Sequence, residues 1–430
     1  MELRRLSERL ALSKAVKQLR IKDTEAIKLA HKLVYETTRR KNFIDRFLNA
    51  ALSPKSLEDF RIGVRAFLRL YVYETKIMDC NLKKAIKVAR MGRSILGWQE
   101  LQDVEENLGE MLSMETSVIL TGLSEEERIG LLTFHPTWFV KYCLQIFGKD
   151  EALKFLESSN RVPPTYVRIN TLKASEENLL RKIEADGITL EKEMQLRHTY
   201  KLIKSQKPLT KTRSFRDGLF YIQDKASCLA AEIANPSKGS TVLDLCAAPG
   251  AKTTYLAQLM ENEGTIYSVD YSRRRMTIWK RETKRMGVTI ASPILADARK
   301  PLPVKNSADT VILDPPCTST GAFAKIPSAK WRITEKSVST MAEIQWEMLN
   351  TAAEYVNEGG YLIYSTRSIA IEENEMQIAR FLRQRSNFKL VDATPRIGVA
   401  GLRGLTECQR LYPHAHDCDG FFLAKILRSG

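Results

Sequence analysis

The sequence predicts an α/β protein: a mostly parallel sheet covered by helices on both faces, preceded by a small α+β module and an all-α bundle. Three observations carry this. From about residue 240 onward, short apolar runs alternate with helical stretches; residues 119–215 mix both textures; and residues 1–118 show helical periodicity without strand-like alternation of useful length. The expected division is therefore 1–118, 119–215 and 216–430. A chain of 430 residues is in any case too long for one ordinary core.

In the first segment Ile27, Ala30, Leu33 and Val34 fall at helical spacing, as do Phe60, Val64, Phe67, Leu68 and Tyr71 after Pro54 and Ser56 interrupt the run. The second segment carries Pro136, the Pro163-Pro164 pair, a β-rich YVRIN at 166–170 and a helical stretch from Glu176 to Asp186 closed by Gly187. In the third, TVLDLC, TIYSVD, SPILAD, TVILDPP, GYLIYST and FFLAKIL read as strands, with helices predicted over 253–260, 273–286, 337–355 and 371–385. Strand and helix in alternation place a ligand outside the carboxyl ends of the strands.

A formal charge of +16 makes a positive field that attracts polyanions, nucleic acid first. A heavily solvated surface would carry the same charge, so its distribution matters. Residues 1–50 hold 13 Lys and Arg against 6 Asp and Glu, and Arg197 to Arg216 carries seven basic residues with no acid, interleaved with His198, Tyr200 and Phe215. Phosphate contacts beside stacking rings suit single-stranded or looped RNA. Seven scattered cysteines, without a C-x-x-C pair, argue against a disulfide framework and against structural zinc. His414, His416 and Cys418 read as a turn before the last strand, and no metal is expected. MELRRLSERL has no signal-peptide core and no stretch is apolar enough to cross a bilayer, so the expectation is a cytoplasmic protein without a membrane partner.

The run from Asp244 to Thr253, DLCAAPGAKT, sits where the first strand of the large sheet turns into a helix, and Gly250 lets the backbone pass close to a ligand. Asp270 ends the next strand, where a carboxylate can accept from ribose hydroxyls. Neither G-x-G-x-x-G nor a P-loop is present; one Gly and one Pro suit a nucleoside without phosphates, such as S-adenosylmethionine. Asp297, after the third strand, would accept from the adenine amine. Taken singly, Asp244 could merely cap the turn and Asp270 merely end a strand. The candidate cofactor residues are Cys246, Ala247, Ala248, Pro249, Gly250, Lys252, Asp270, Arg275, Asp297 and Asp314.

DLCAAPGAKTTYLA, VRINTLK at 167–173, QDKAS at 223–227, DPPC at 314–317, KWR at 330–332 and DGFFLAKILR at 419–428 together resemble the RsmB/Sun family of RNA 5-cytosine methyltransferases over roughly residues 126–430. Residues 1–118 are similar, at pattern level, to the NusB-like domain that bacterial members carry in front. The resemblance implies a Rossmann-like class I methyltransferase domain, S-adenosylmethionine as cofactor and RNA, small-subunit ribosomal RNA first, as substrate. A monomer acting on that RNA is expected.

In the family a cysteine thiolate adds to C6 of cytosine, C5 takes the methyl group and a base removes the C5 proton. The cysteine of the DPPC motif, here Cys317, assists product release, while the nucleophile sits in a T-C-S triplet. This chain reads STRSI there, so the nucleophile's position is Arg367. A guanidinium offers donors but no nucleophilic lone pair. Three readings stay open: methylation of N4 without an adduct, with Asp314 and the Pro315 carbonyl accepting the amine hydrogens; C5 methylation with Cys317 as nucleophile; or a catalytically silent RNA-binding assembly factor. The first is preferred. Candidate catalytic residues are Asp314, Pro315, Cys317 and Lys252; candidate RNA contacts are Arg168, Asn170, Lys173, Lys330, Trp331, Arg332 and Arg367.

Overall fold

The computed structural model describes residues 6–304 and 307–430. It divides into two compact units, one made of the chain up to Arg161 plus Phe323–Arg332, the other of Val162–Ala322 and Ile333–Gly430.

The first unit is helical: α1 (Glu8–Gln18), α2 (Thr24–Arg39), α3 (Lys41–Ala51), α4 (Ile62–Val72), α5 (Leu82–Leu96), α6 (Trp98–Ser113), α7 (Glu125–Leu132), α8 (Thr137–Phe147) and α9 (Lys149–Ser158). Its core gathers Phe43, Ile44, Phe47, Leu68, Tyr71, Val104 and Met111, all buried, from α3, α4 and α6. The expected boundary near residue 118 differs from the structure, because the chain stays helical to Ser158. Gly130 is the reason that α7 and α8 pack closely: a Cβ there would stand 2.8 Å from the carbonyl oxygen of His135.

The second unit opens with a four-stranded antiparallel sheet in the order β2-β3-β1-β4, from β1 (Tyr166–Ile169), β2 (Ile188–Lys192), β3 (Thr199–Ser205) and β4 (Phe220–Ile222). It carries α10 (Glu176–Ala185) and the short α11 (Arg213–Arg216). Next come α12 (Lys225–Ala234), β5 (Thr241–Leu245), α13 (Ala251–Leu259), β6 (Thr265–Asp270), α14 (Arg273–Met286), β7 (Ala291–Leu295) and β8 (Ala308–Leu313). The remainder is α15 (Glu335–Glu354), β9 (Val356–Thr366), α16 (Glu375–Gln384), β10 (Phe388–Val391), β11 (Val399–Ala400), β12 (Gln409–Leu411), α17 (Pro413–His416) and β13 (Phe421–Arg428).

The large sheet runs β11-β12-β13-β9-β8-β5-β6-β7, with β10 pairing β13. Strands β7, β6, β5, β8 and β9 are parallel and β13 is antiparallel to β9. Two apolar layers cover it: Leu243, Leu245, Val311, Leu313, Leu362 and Tyr364 point to one face, Val242, Ile266, Ile312 and Ile363 to the other. This alternation is what period-2 burial on both faces requires. The chain leaves β5 toward β6 on one side and returns through β8 on the other, so the carboxyl end of β5 is a topological switch point, the place where open α/β sheets bind ligands.

Candidate functional site: the loops at the carboxyl end of β5

Strand β5 delivers Asp244 to the switch point, and the chain then turns through 246–250 into α13. Cys246 takes a left-handed φ of 65°, Ala247 N–H donates to the carbonyl of Val269 at 2.9 Å, and Gly250 adopts φ 110°. A Cβ on Gly250 would also stand 3.3 Å from Cδ1 of Trp279, so this position needs glycine for both conformation and space. Asp244 is buried and accepts from the Thr253 hydroxyl at 2.5 Å, while Thr253 accepts from the Trp279 indole N–H at 3.0 Å. Burial pushes the Asp244 carboxyl up to about 7, partly countered by the Thr253 hydrogen bond and the charge of Lys252. The Cys246 thiol is pushed up by burial and the nearby acids, and the residue packs, partly buried, against the core beneath the loop.

At the end of β6, Asp270 is buried. Its Oδ1 accepts from Ser272 N–H at 2.9 Å, and its Oδ2 accepts no hydrogen bond, with the Arg275 guanidinium 3.2 Å away. Arg275 also donates to the Ala248 carbonyl, tying the loop to α14. A buried carboxylate oxygen with spare accepting capacity, facing a glycine cradle whose flank holds Ala247, Ala248 and Pro249, fits the ribose diol of a nucleoside. Asp297 is already engaged: both its oxygens accept from Arg299, at 2.7–3.1 Å, and that pairing holds its carboxyl below the ordinary value. Adenine would have to share it.

On the other side of β5, β8 ends at Asp314. Its Oδ2 accepts from the Lys252 ammonium and its Oδ1 from the Ser365 hydroxyl at 3.2 Å, so the carboxylate is oriented from α13 and β9 together. Lys252 is itself nearly buried, 5.9 Å from the centre of the Phe421 ring. Among the described residues no group donates to the Pro315 carbonyl, whereas Pro316 O accepts from Gln345 at 2.9 Å. The Cys317 thiol lies 3.7 Å from Ser319 Oγ and is pushed up to about 12, first by burial, then by the charges of Glu373 and Asp314.

Arg367 follows β9. Burial works against its charge, and the carboxylates of Asp419, Asp224 and Asp314 more than offset this, holding the guanidinium above its ordinary value. No side-chain hydrogen bond or ion pair engages it among the described residues.

Sequence reasoning missed the hub behind this loop. Glu373 is fully buried; its Oε2 accepts from Thr318 N–H at 3.0 Å and Gln345 Nε2 at 2.8 Å, and its Oε1 meets the hydroxyls of Thr318 and Ser368. The two N–H donors on Oε2 come from the 314–322 loop and from α15, and the Ser368 hydroxyl on Oε1 ties the carboxylate to its own 367–374 loop. Nothing in a single E-E-N-E run signals this. Asp224 and Asp419, by contrast, lie inside two motifs quoted above, though no pattern assigned them to Arg367.

Three expected RNA contacts, Arg168, Asn170 and Lys330, are corrected by their burial, and a fourth, Trp331, is partly engaged within the fold. Arg168 is fully buried, donating to Gln223 at 3.0 Å and to Thr254 at 2.8 Å and stacking 4.5 Å from the Tyr255 ring centre. Asn170 is buried and bonds the carbonyls of Gly218 and Met286 at 2.8 Å. Lys330 is buried in the helical unit, donating to Phe134 O at 3.1 Å and Asn160 Oδ1 at 2.6 Å, and burial lowers its amine well below the ordinary value. Trp331 donates its indole N–H to Thr38 O at 2.6 Å. Arg168, Asn170 and Lys330 hold the fold, and Trp331 is half-buried. Arg332 is exposed but leans on Ser328, and Lys173 is exposed at the C-terminal end of α14.

Among the described residues no helix is long and apolar enough to cross a membrane, and no cluster of three or more His, Cys, Asp or Glu could hold a metal. No disulfide joins the seven cysteines.

Comparison with known proteins matches residues 231–427 to the family described as 16S rRNA methyltransferase RsmB/F, and residues 135–207 to its ferredoxin-like domain. The chain is similar to the probable ribosomal RNA small subunit methyltransferase B of Bacillus subtilis, 28% identical over 94% of this chain and 90% of that protein. It is 33% identical to the human 28S rRNA (cytosine(4447)-C(5))-methyltransferase over 66% of this chain, which spans 36% of that longer protein. The crystal structure of PH0851 matches with a TM-score of 0.84 and 31% identity, covering 97% of this chain and 93% of that one.

Proposed function

We propose, starting from a chain that belongs to the RsmB/F family of S-adenosylmethionine-dependent RNA cytosine methyltransferases, that the atom it methylates is the exocyclic N4 of cytosine. When bound, S-adenosylmethionine supplies an electrophilic methyl group. The residues suited to hold it are Asp270 for the ribose, the backbone from Ala247 to Gly250 for the amino-acid portion, and Arg275 as the brace between them.

The single observation that carries the N4 reading is Arg367. It occupies the position of the family's nucleophile, it is kept protonated by three neighbouring carboxylates, and it cannot add to C6. Asp314 supports the alternative chemistry: Lys252 and Ser365 hold its carboxylate in one orientation, and the adjacent Pro315 carbonyl has accepting capacity to spare. Two acceptors for the two amine hydrogens turn the N4 lone pair out of the ring plane, and Asp314 is the group to take the proton that N4 gives up. Positioning supplies the rest of the acceleration.

A second reading is C5 methylation with Cys317 adding to C6, favoured by the C5 chemistry named for the human relative. Against it stands a thiol pushed up to about 12, since the thiolate is the nucleophile. Cys317→Ser separates the two. The N4 route keeps its turnover within about threefold, whereas a covalent route loses about three orders of magnitude or more. RNA carrying 5-fluorocytidine should remain untrapped by the wild type, and a stable protein–RNA adduct would overturn the N4 reading.

The substrate is ribosomal RNA of the small subunit, a reading supported by the family description and by the Bacillus relative. The reading extends to a monomer in the cytoplasm, the compartment suited to seven scattered cysteines without a C-x-x-C pair.

A further inference from the structure

Helix α14 carries seven basic residues and one acid in fourteen positions. Its buried side is apolar or neutralised: Met276, Trp279, Thr283 and Met286 face the sheet, and Glu282 is paired with Arg285 at 2.8 Å. Arg285 is pinned further, donating to Phe215 O at 2.7 Å and Phe220 O at 3.2 Å and lying 4.1 Å from the Phe215 ring centre. Arg281 reaches Glu282 at 3.2 Å, and Arg275 is held by Asp270 and the Ala248 carbonyl. These three cations have structural partners.

The other four do not. Arg273, Arg274, Lys280 and Lys284 are exposed, and among the described residues none has a side-chain hydrogen bond or ion pair. Positions 273, 280 and 284 are separated by seven and four residues, with 274 adjacent, so the four share one face of the helix. Lys173 continues the row: it is exposed, and its Nζ lies 3.3 Å from where a Cβ on Gly287, the residue capping α14, would stand. The placement runs against the helix's own interest. Cations in the first turn oppose the macrodipole, the first turn holds no acid, and only the Ser272 hydroxyl caps it, at 3.4 Å from Arg275 N–H. Some surface cations elsewhere in this unit, Lys238 and Arg299 among them, are paired with neighbouring acids.

We propose that the exposed face of α14, from Arg273 and Arg274 through Lys280 and Lys284 to Lys173, is a binding surface for the phosphate backbone of the substrate RNA. The row is about 20 Å long at a helical rise of 1.5 Å per residue, enough for several consecutive phosphates. It starts beside the nucleoside pocket, because Ser272 and Arg275 flank Asp270. Lysine and arginine without carboxylate partners give affinity without reading sequence, so the surface holds the strand while the pocket selects the base. This inference rests on the RNA methyltransferase reading and names where the RNA lies.

The test uses the full chain with Arg273, Arg274, Lys280 and Lys284 all changed to Gln, leaving Arg275 intact. Because the four side chains are exposed and unpaired, the variant should melt like the wild type. Binding of a labelled small-subunit rRNA fragment is followed by anisotropy from 0.05 to 0.3 M salt, values on the order of those that resolve phosphate contacts. The expected result is an affinity loss of about tenfold or more, and a log–log salt slope shallower by about two to three units, at about 0.7 per lost single-strand contact. Affinity for S-adenosylmethionine, by calorimetry, should be unchanged. A wild type and a variant that bind and methylate RNA equally would overturn the surface alone; a wild type that bound the cofactor but no RNA would overturn the methyltransferase reading with it.

Discussion

Arg367 and Asp244 show what one side chain can change at an otherwise conventional pocket. In the N4 proposal a permanent cation at 367 takes the place of a nucleophile, and Asp314, Lys252 and Ser365 supply the geometry for the other route. Asp244 shows a pH effect with a definite sign. Its folded-state carboxyl is raised to about 7 from an ordinary value near 3.8, so the folded protein binds the extra proton between these values. Its favourable contribution is therefore complete below about pH 4 and is lost as pH rises through about 7, a change on the order of a few kcal/mol. Asp244→Asn should flatten that segment of the profile, shrinking the difference in melting temperature between pH 5 and pH 8. An unchanged difference would mean that Asp244 does not titrate in this range.

At the scale of elements, the segment Phe323–Arg332 leaves the loop after β8 and packs as part of the helical unit. Glu8 accepts from Ser328 Oγ at 2.9 Å, Arg39 donates to Ala324 O at 3.0 Å, Trp331 reaches α2, and Lys330 reaches the α7–α8 turn and Asn160 just after α9. Trp331→Ala should therefore destabilise the helical unit by about 2–3 kcal/mol, seen as an earlier first melting transition. RNA affinity lost without any change in melting would instead restore Trp331 as an RNA contact. The same segment marks the limit of what the sequence disclosed. Strands β5, β6, β8, β9 and β13 were legible because apolar runs of strand length alternate with amphipathic helices. Lys330 and Arg168 were not, because a charged residue in a single sequence reads as exposed. The oxygens that satisfy them, on Asn160 and Phe134 or on Gln223 and Thr254, come from distant positions. The continuation of helix through α7 to α9 was hidden by Pro136, which sits at the N-terminal cap of α8 and does not end the helical region.

For the whole molecule, acidic loops at the end of β5, the proposed cationic face and a helical unit share one chain, which suits the proposed action on a cytosine in RNA. The loop around the end of β5 was legible: the left-handed Gly250 and the strand-ending Asp244 and Asp270 follow from loop chemistry. The catalytic side was legible only in part, because Glu373, Asp224 and Asp419 acquire meaning through neighbours that folding supplies. The central claim is that position 367 redirects methylation from carbon to nitrogen. The most direct measurement is nucleoside mass spectrometry of small-subunit rRNA incubated with the purified protein and S-adenosylmethionine labelled in its methyl group. N4-methylcytidine carrying the label is the predicted product, and labelled 5-methylcytidine would contradict the account.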